Sequence, residues 1–218
     1  MSNELINSDP LDIEDLLTKV EKSFDIKFVD NEFVDVKTFG ELSDRIIDKI
    51  NLENSDSCTT QQAFYKLRKA MLKVTDYGNI KSETLLSELF PKQNRISKIK
   101  KLEDNLGFKI GILEPKLILT LLLFLLLLSS FILIFIEWKI GIPCFILSIV
   151  GFKIINKFGK EFKLKTVGEL TEKITREHYL KSRSNPKTFN RNEVEIMLAK
   201  WFSSELILDD LTKESKLG

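Results

Sequence analysis

The sequence predicts an all-α membrane protein: a two-helix transmembrane hairpin carrying helical segments at both of its ends. Three observations predict it. Leu117 to Ile136, LILTLLLFLLLLSSFILIFI, is twenty residues without a charge, and a helix of that length spans about 30 Å, the thickness of a bilayer's hydrocarbon core. A second apolar segment, Ile140 to Ile155, follows almost at once and is broken only by Lys153. Both flanks carry apolar stripes at helical spacing behind helix-capping residues.

The first apolar segment is the clearer one. Each central Leu, Ile or Phe contributes about −0.3 to −0.6 kcal/mol to insertion, a sum that Thr120, Ser129 and Ser130 cannot offset. The second would be about 24 Å long as a helix. Lys153 can reach the interface from its position, so a second span is favoured over a re-entrant or interfacial segment. Trp138 between them suits the aromatic belt of a membrane interface. Lys98, Lys100, Lys101, Lys109 and Lys116 precede the hairpin and Lys153, Lys157, Lys160, Lys163 and Lys165 close it, against Lys139 alone in the connection. The positive-inside rule therefore places both termini in the cytoplasm and the Glu137–Gly141 turn outside a multi-pass cell membrane protein. Met1–Asn7 is polar, so no secretory signal is expected.

The flanks read in order. Asp9 suits an N-cap and Pro10 a first helical turn, with Ile13, Leu16, Leu17, Val20 and Phe24 forming one stripe. Thr38 with Glu41 is a capping box, opening a helix with Phe39, Leu42, Ile46 and Ile50 on one face. Residues 51–57 read as a polar linker. Thr59 with Gln62 starts a helix whose Phe64, Leu67, Met71 and Val74 share a face. A shorter helix is expected around Ser82–Phe90, ended by Pro91. A basic run extends from Lys92 to Lys101. Residues 162–174, FKLKTVGELTEKI, repeat residues 34–46, VDVKTFGELSDRI, and keep the capping box as Thr166 with Glu169. Residues 181–189 read as a linker. Asn190 with Glu193 opens a last helix, with Val194, Met197 or Leu198, Trp201 and Leu206 as its stripe. The segments group as 8–50, 51–110, 116–157 (spans at 117–136 and 140–155) and 161–218.

Residues 8–50 resemble helices two to four of an acyl carrier protein, through Asp9, Leu11, Asp12, Leu16, Val20, Phe24, Thr38, Gly40, Glu41, Leu42 and Ile46. In that family a serine at the start of helix two carries phosphopantetheine. Here Pro10 stands in its place, and Ser8, two residues early, is the fallback; no cofactor is expected. The C-terminal stretch, EVEIMLAKWFSSELILDDLTKESKLG, resembles the family's helix one and the loop after it. The resemblance thus implies a module split or circularly permuted around the hairpin, with Trp201, Phe202 and Leu206 covering the stripes of residues 9–50, within one chain or between two. It also implies an acidic partner face on helix two, at Asp12, Glu14, Asp15 and Glu21, for the basic surface of an enzyme that recognises acyl carriers.

Composition excludes several alternatives. The chain has 218 residues with 33 basic and 32 acidic side chains and a formal charge of +1, which gives no general case for nucleic-acid binding. Two helices with basic residues at 59–101 could form a DNA-reading pair; a solvated hairpin beside anionic lipid head groups is preferred. One histidine, His178, and two separated cysteines, Cys58 and Cys144, supply neither a zinc site nor a nucleophile arrangement. No phosphate-binding glycine loop is present. The expectation is a non-catalytic, membrane-anchored, acyl-carrier-like binding or scaffold protein, with the lipid bilayer, a basic enzyme surface or a second copy as partners. The alternatives are a tethered acyl carrier modified on a nearby serine and a membrane-tethered regulator using residues 59–101.

Overall fold

A computed structural model describes residues 9–208 and 211–216. Among the described residues the protein is mostly helical, consistent with an all-α fold, with four two-residue strands. In chain order the elements are α1 (Pro10–Phe24), α2 (Phe39–Lys49), β1 (Glu53–Asn54), α3 (Thr59–Met71), α4 (Leu86–Leu89), α5 (Arg95–Leu106), β2 (Leu113–Glu114), α6 (Leu117–Ile136), α7 (Trp138–Lys157), β3 (Glu161–Phe162), α8 (Val167–Glu177), α9 (Tyr179–Ser182), β4 (Thr188–Phe189) and α10 (Arg191–Glu205). The chain forms two compact units: one from residues 1–68 and 170–218, the other from 69–169, with the division falling inside α3 and α8.

The first unit joins segments from both sides of the hairpin in sequence. Asp9 caps α1, its Oδ1 accepting from the Leu11 N–H at 3.0 Å, and Pro10 occupies the first turn, where no N–H is needed. Leu16, Val20 and Phe24 of α1 and Phe39, Leu42, Ile46 and Ile47 of α2 are buried with Tyr179, Val194, Leu198, Trp201 and Phe202. Phe39 packs on Phe202 with ring centroids 5.4 Å apart, and Phe24 on Tyr179 at 4.9 Å. The helix expected to cover the N-terminal stripes therefore does so within one chain, through Trp201 and Phe202 and, at the edge of the cluster, Leu206. Lys19 of α1 adds an ion pair to Glu205 of α10 at 2.6 Å. The two stretches read as linkers meet each other: β1 runs parallel to β4, Glu53 opposite Thr188 and Asn54 opposite Phe189. Two-residue strands are too short to show the alternation that signals a strand in sequence.

The second unit holds α5 to α7. The expected helix over Ser82–Phe90 shrinks to α4, because its first half is used otherwise. The Thr84 hydroxyl accepts from the Lys81 N–H at 2.9 Å, and Leu85 forms an antiparallel bridge with Thr166. Part of the basic run becomes α5, which ends at Gly107 in the left-handed conformation at φ 79°. Arg95 in its first turn is buried. Its Nε donates to the Phe90 carbonyl at 2.7 Å and its Nη1 to the Lys160 carbonyl, while its guanidinium lies 4.2 Å from the centre of the Phe162 ring.

Helices α6 and α7 pack together as an antiparallel hairpin with one residue, Glu137, between them. Helix α7 starts at Trp138, earlier than the apolar pattern suggested, and contains Pro143. The tight join rests on Gly141, where a Cβ would stand 2.4 Å from the Ile134 backbone nitrogen. The hidden polar groups are satisfied locally: the Ser130 and Ser148 hydroxyls each donate to a carbonyl one turn back, Leu127 and Phe145, both at 2.7 Å. Both helices are long and apolar enough to cross a membrane, and only 6% of α6 and 11% of α7 over their most apolar stretches is buried. A core helix of a soluble protein would be covered; these are not. Where the hairpin starts and ends, β2 and β3 pair antiparallel, Leu113 opposite Phe162 and Glu114 opposite Glu161.

Candidate docking face

Helix α1 presents Asp12, Glu14 and Asp15 to solvent. Glu21, the fourth acid of the expected face, is half-buried, and its carboxylate accepts from the Phe28 N–H at 2.6 Å. It anchors the loop between α1 and α2 and is only partly available to a partner. Glu14 and Glu21 line a hollow of about 450 Å³ that includes Leu17, Phe28, Asp30 and Val34. Beside it, Leu11, Val29 and Val34 are 67–77% exposed. Ion pairs hold the loop: Lys49 to Glu32 at 2.6 Å, and Arg45 to Asp35 at 2.7 Å. The Arg45 guanidinium holds the Asp35 carboxyl below its ordinary value. The face is acidic with apolar side chains at its edge. Pro10 occupies the first turn of α1 and offers no hydroxyl; Ser8 lies outside the described residues.

The repeated helix start has the same geometry in both copies. In the first, the Thr38 hydroxyl accepts from the Glu41 N–H at 3.2 Å and Glu41 accepts from the Lys37 N–H at 2.7 Å. In the second, Thr166 accepts from the Glu169 N–H at 3.1 Å and Glu169 from the Lys165 N–H at 2.7 Å. Each copy also has a receiving loop. The Phe39 and Gly40 N–H groups donate to the Ser215 and Lys213 carbonyls, and those of Val167 and Gly168 to the Thr84 and Ser82 carbonyls. The loops themselves correspond: the Ser215 hydroxyl accepts from the Thr212 N–H at 3.1 Å, as Thr84 does from Lys81. A Cβ on Gly40 would stand 3.0 Å from the Lys213 carbonyl oxygen and one on Gly168 3.2 Å from that of Ser82, so glycine suits both crossings. The correspondence therefore extends beyond the repeat visible in sequence, to the loops at 80–85 and 211–216.

A buried polar cluster escaped the sequence. The Glu193 carboxylate, on α10, accepts from the Thr59 N–H at 2.9 Å and from the Thr60 N–H at 3.0 Å. It thus supplies the N-terminal cap of α3, the role that the Thr59–Gln62 pattern suggested for Gln62. Gln62 instead accepts from the Ser184 N–H at 2.6 Å. Burial works against the Glu193 charge, but hydrogen bonds from Thr59 and Thr60 outweigh it and hold the carboxyl below its ordinary value. Burial raises the neighbouring Tyr179 phenol. Arg183, itself buried, donates to the Thr59 hydroxyl at 2.6 Å, to Ser57 and to Tyr179. Every member of the cluster has a partner, the signature of a structural network.

Two hollows flank the exposed ridge of α10 at Ile196 and Lys200. One, of about 420 Å³, includes Arg176, Met197 and Trp201; the other, of about 300 Å³, includes Phe39 and Ser43. Among the described residues, the buried side-chain atoms left without hydrogen-bond partners are Ser43 Oγ, Arg176 Nε and Trp201 Nε1, all on residues lining these hollows. Cys58 and Cys144 are free thiols. Among the described residues, no group of three or more His, Cys, Asp or Glu side chains could hold a metal ion. No family model, curated protein or solved structure matches the chain.

Proposed function

We propose that the chain is a non-catalytic, membrane-anchored binding or scaffold protein built on an acyl-carrier-like helical module. The carrying observation is the solvent face of α1: Asp12, Glu14 and Asp15 stand exposed beside Leu11, Val29 and Val34, at a helix start that has proline where a carrier would have its serine. Such a face suits a basic partner surface with apolar contacts, and it brings no thioester chemistry. The α6–α7 hairpin is the anchor. In hydrocarbon its outward apolar side chains need no protein cover and its backbone is satisfied within each helix. The lysines before and after it favour an orientation with both termini in the cytoplasm.

Charge is divided in keeping with that reading. The hairpin unit, residues 69–169, carries sixteen basic and nine acidic side chains, and the other unit seventeen basic and twenty-three acidic. A basic anchor suits an anionic membrane surface and an acidic module suits a basic protein. A DNA-reading helix-turn-helix is disfavoured, because α3 and α5 are separated by residues 72–94 and not by a turn of about three or four.

Charge reversal tests the proposal. The full chain and its Asp12→Lys, Glu14→Lys, Asp15→Lys variant are used as baits in detergent-solubilised membranes. The expected outcome is a partner captured by the first and lost by the second, and an intact mass equal to that of the sequence. Equal capture by both baits sinks the α1 face. A phosphopantetheine adduct sinks the non-catalytic reading.

A further inference from the structure

At the base of the hairpin, the first turn of α6 and the last of α7 enclose a hollow of about 200 Å³. Its walls are Leu119 from α6 and Ile154 and Phe158 from the end of α7, with Lys116 and Lys160 also lining it. Both lysines are exposed, as is Lys157, whose ammonium lies 5.9 Å from the centre of the Phe158 ring. Apolar walls with two cations at one end suit an anionic head group attached to a hydrocarbon chain, as in a phospholipid.

The backbone that carries the two lysines is held in place, which distinguishes them from lysines on a loose loop. Lys116 follows β2 closely and Lys160 immediately precedes β3, and those strands are paired. The Lys160 carbonyl accepts from the buried Arg95 guanidinium. Gly159, beside it, is pressed on the other strand: a Cβ there would stand 2.5 Å from the Glu114 carbonyl carbon. Two carboxylates occur at this end. Glu161 itself lines the hollow and is engaged by Lys92 at 2.8 Å, and Glu114 is its cross-strand neighbour. Lys92, Arg95 and Lys116 act on Glu161, and with Lys160 also at the hollow the four cations outnumber the two carboxylates.

We infer that this hollow seats the phosphate and upper acyl chain of one anionic phospholipid, with Lys116 and Lys160 on the phosphate and Leu119, Ile154 and Phe158 along the chain. The inference rests on the membrane reading of the hairpin and adds to it a site. A free phosphate would satisfy the lysines but leave the apolar walls empty.

The test uses the full chain in nanodiscs of phosphatidylcholine doped with phosphatidylglycerol, with bound lipid counted by native mass spectrometry. One retained phosphatidylglycerol per chain is expected. Lys116→Gln with Lys160→Gln should weaken its retention by roughly thirty-fold, each lysine near the surface contributing about fivefold. Lys98→Gln with Lys101→Gln removes the same charge from α5 and should leave retention within about twofold. Circular dichroism checks that both variants remain folded. Equal losses in the two variants would show diffuse attraction and overturn the site. Displacement by millimolar inorganic phosphate would reduce it to a simple anion site and overturn the lipid assignment. If the hairpin is no anchor, the chain leaves membranes in an alkaline carbonate wash and both readings fall; retention in the wash with no effect of Lys116 and Lys160 removes this inference alone.

Discussion

Glu193 shows how one carboxylate can tie distant parts of a chain. It caps α3 from α10, accepting two backbone N–H bonds and the Thr60 hydroxyl at 3.2 Å. Glu193→Gln is expected to lower the unfolding free energy by about 2 kcal/mol, since hydrogen bonds to a charged group contribute about 1.5–3 kcal/mol; urea denaturation measures it. Its folded pKa lies below the ordinary 4.5. Its contribution is therefore complete above the unfolded carboxyl range and is lost as pH falls through the folded value. The native protein should lose stability in that acid window more steeply than the glutamine variant, and parallel profiles would refute the assignment. The sequence contained half of this. The Asn190–Glu193 spacing marks a helix start, and Asn190 Oδ1 does accept from the Glu193 N–H at 3.1 Å. The destination of the Glu193 side chain, far away in sequence, leaves no local pattern to read.

Among the elements, those with their own capping and stripe were legible: α1, α2, α6, α8 and α10 all start where side-chain caps or apolar runs indicated. Elements formed by long-range pairing were not. Residues 82–85 open the helix expected around Ser82–Phe90, but the Thr84 and Ser82 carbonyls are spent receiving the Val167 and Gly168 N–H groups. On α1, the exposure of Asp12, Glu14 and Asp15 followed from its apolar stripe, whereas the tie from Glu21 to Phe28 depends on how the next loop folds back. Two substitutions separate local from packed contributions. Thr38→Ala and Thr166→Ala should each destabilise by about 1 kcal/mol, as for other lost N-caps. Gly141→Leu should lower the melting temperature of the detergent-solubilised protein by several degrees, because a Cβ meets Ile134 backbone. Gly78→Ala, with no atom within 4 Å of the added carbon, should leave it unchanged.

At the scale of the molecule, α10 completes the core of the first unit. Val194, Leu198, Trp201 and Phe202 are all buried in its core. At about 1.5–3 kcal/mol for each large apolar side chain, their loss would remove about as much as the 5–15 kcal/mol that typically stabilises a whole domain. A chain ending at Asn190 should therefore lose hydrogen-exchange protection in α1 and α2 while α6 and α7 remain protected. Protection retained in α1 and α2 would show that the N-terminal helices stand alone.

That arrangement also orders events during synthesis. Helices α1 and α2 leave the ribosome well before α10, whose side chains complete their core. At about 5–20 residues per second, the interval from α2 to α10 is roughly ten to thirty seconds. Throughout it, the apolar faces of Leu16, Val20, Leu42 and Ile46 lack the partners that bury them, while α6 and α7 have already emerged. The α6–α7 pair is thus complete before the first unit can close, and the core of Leu16, Val20, Leu42 and Ile46 is the later of the two to form.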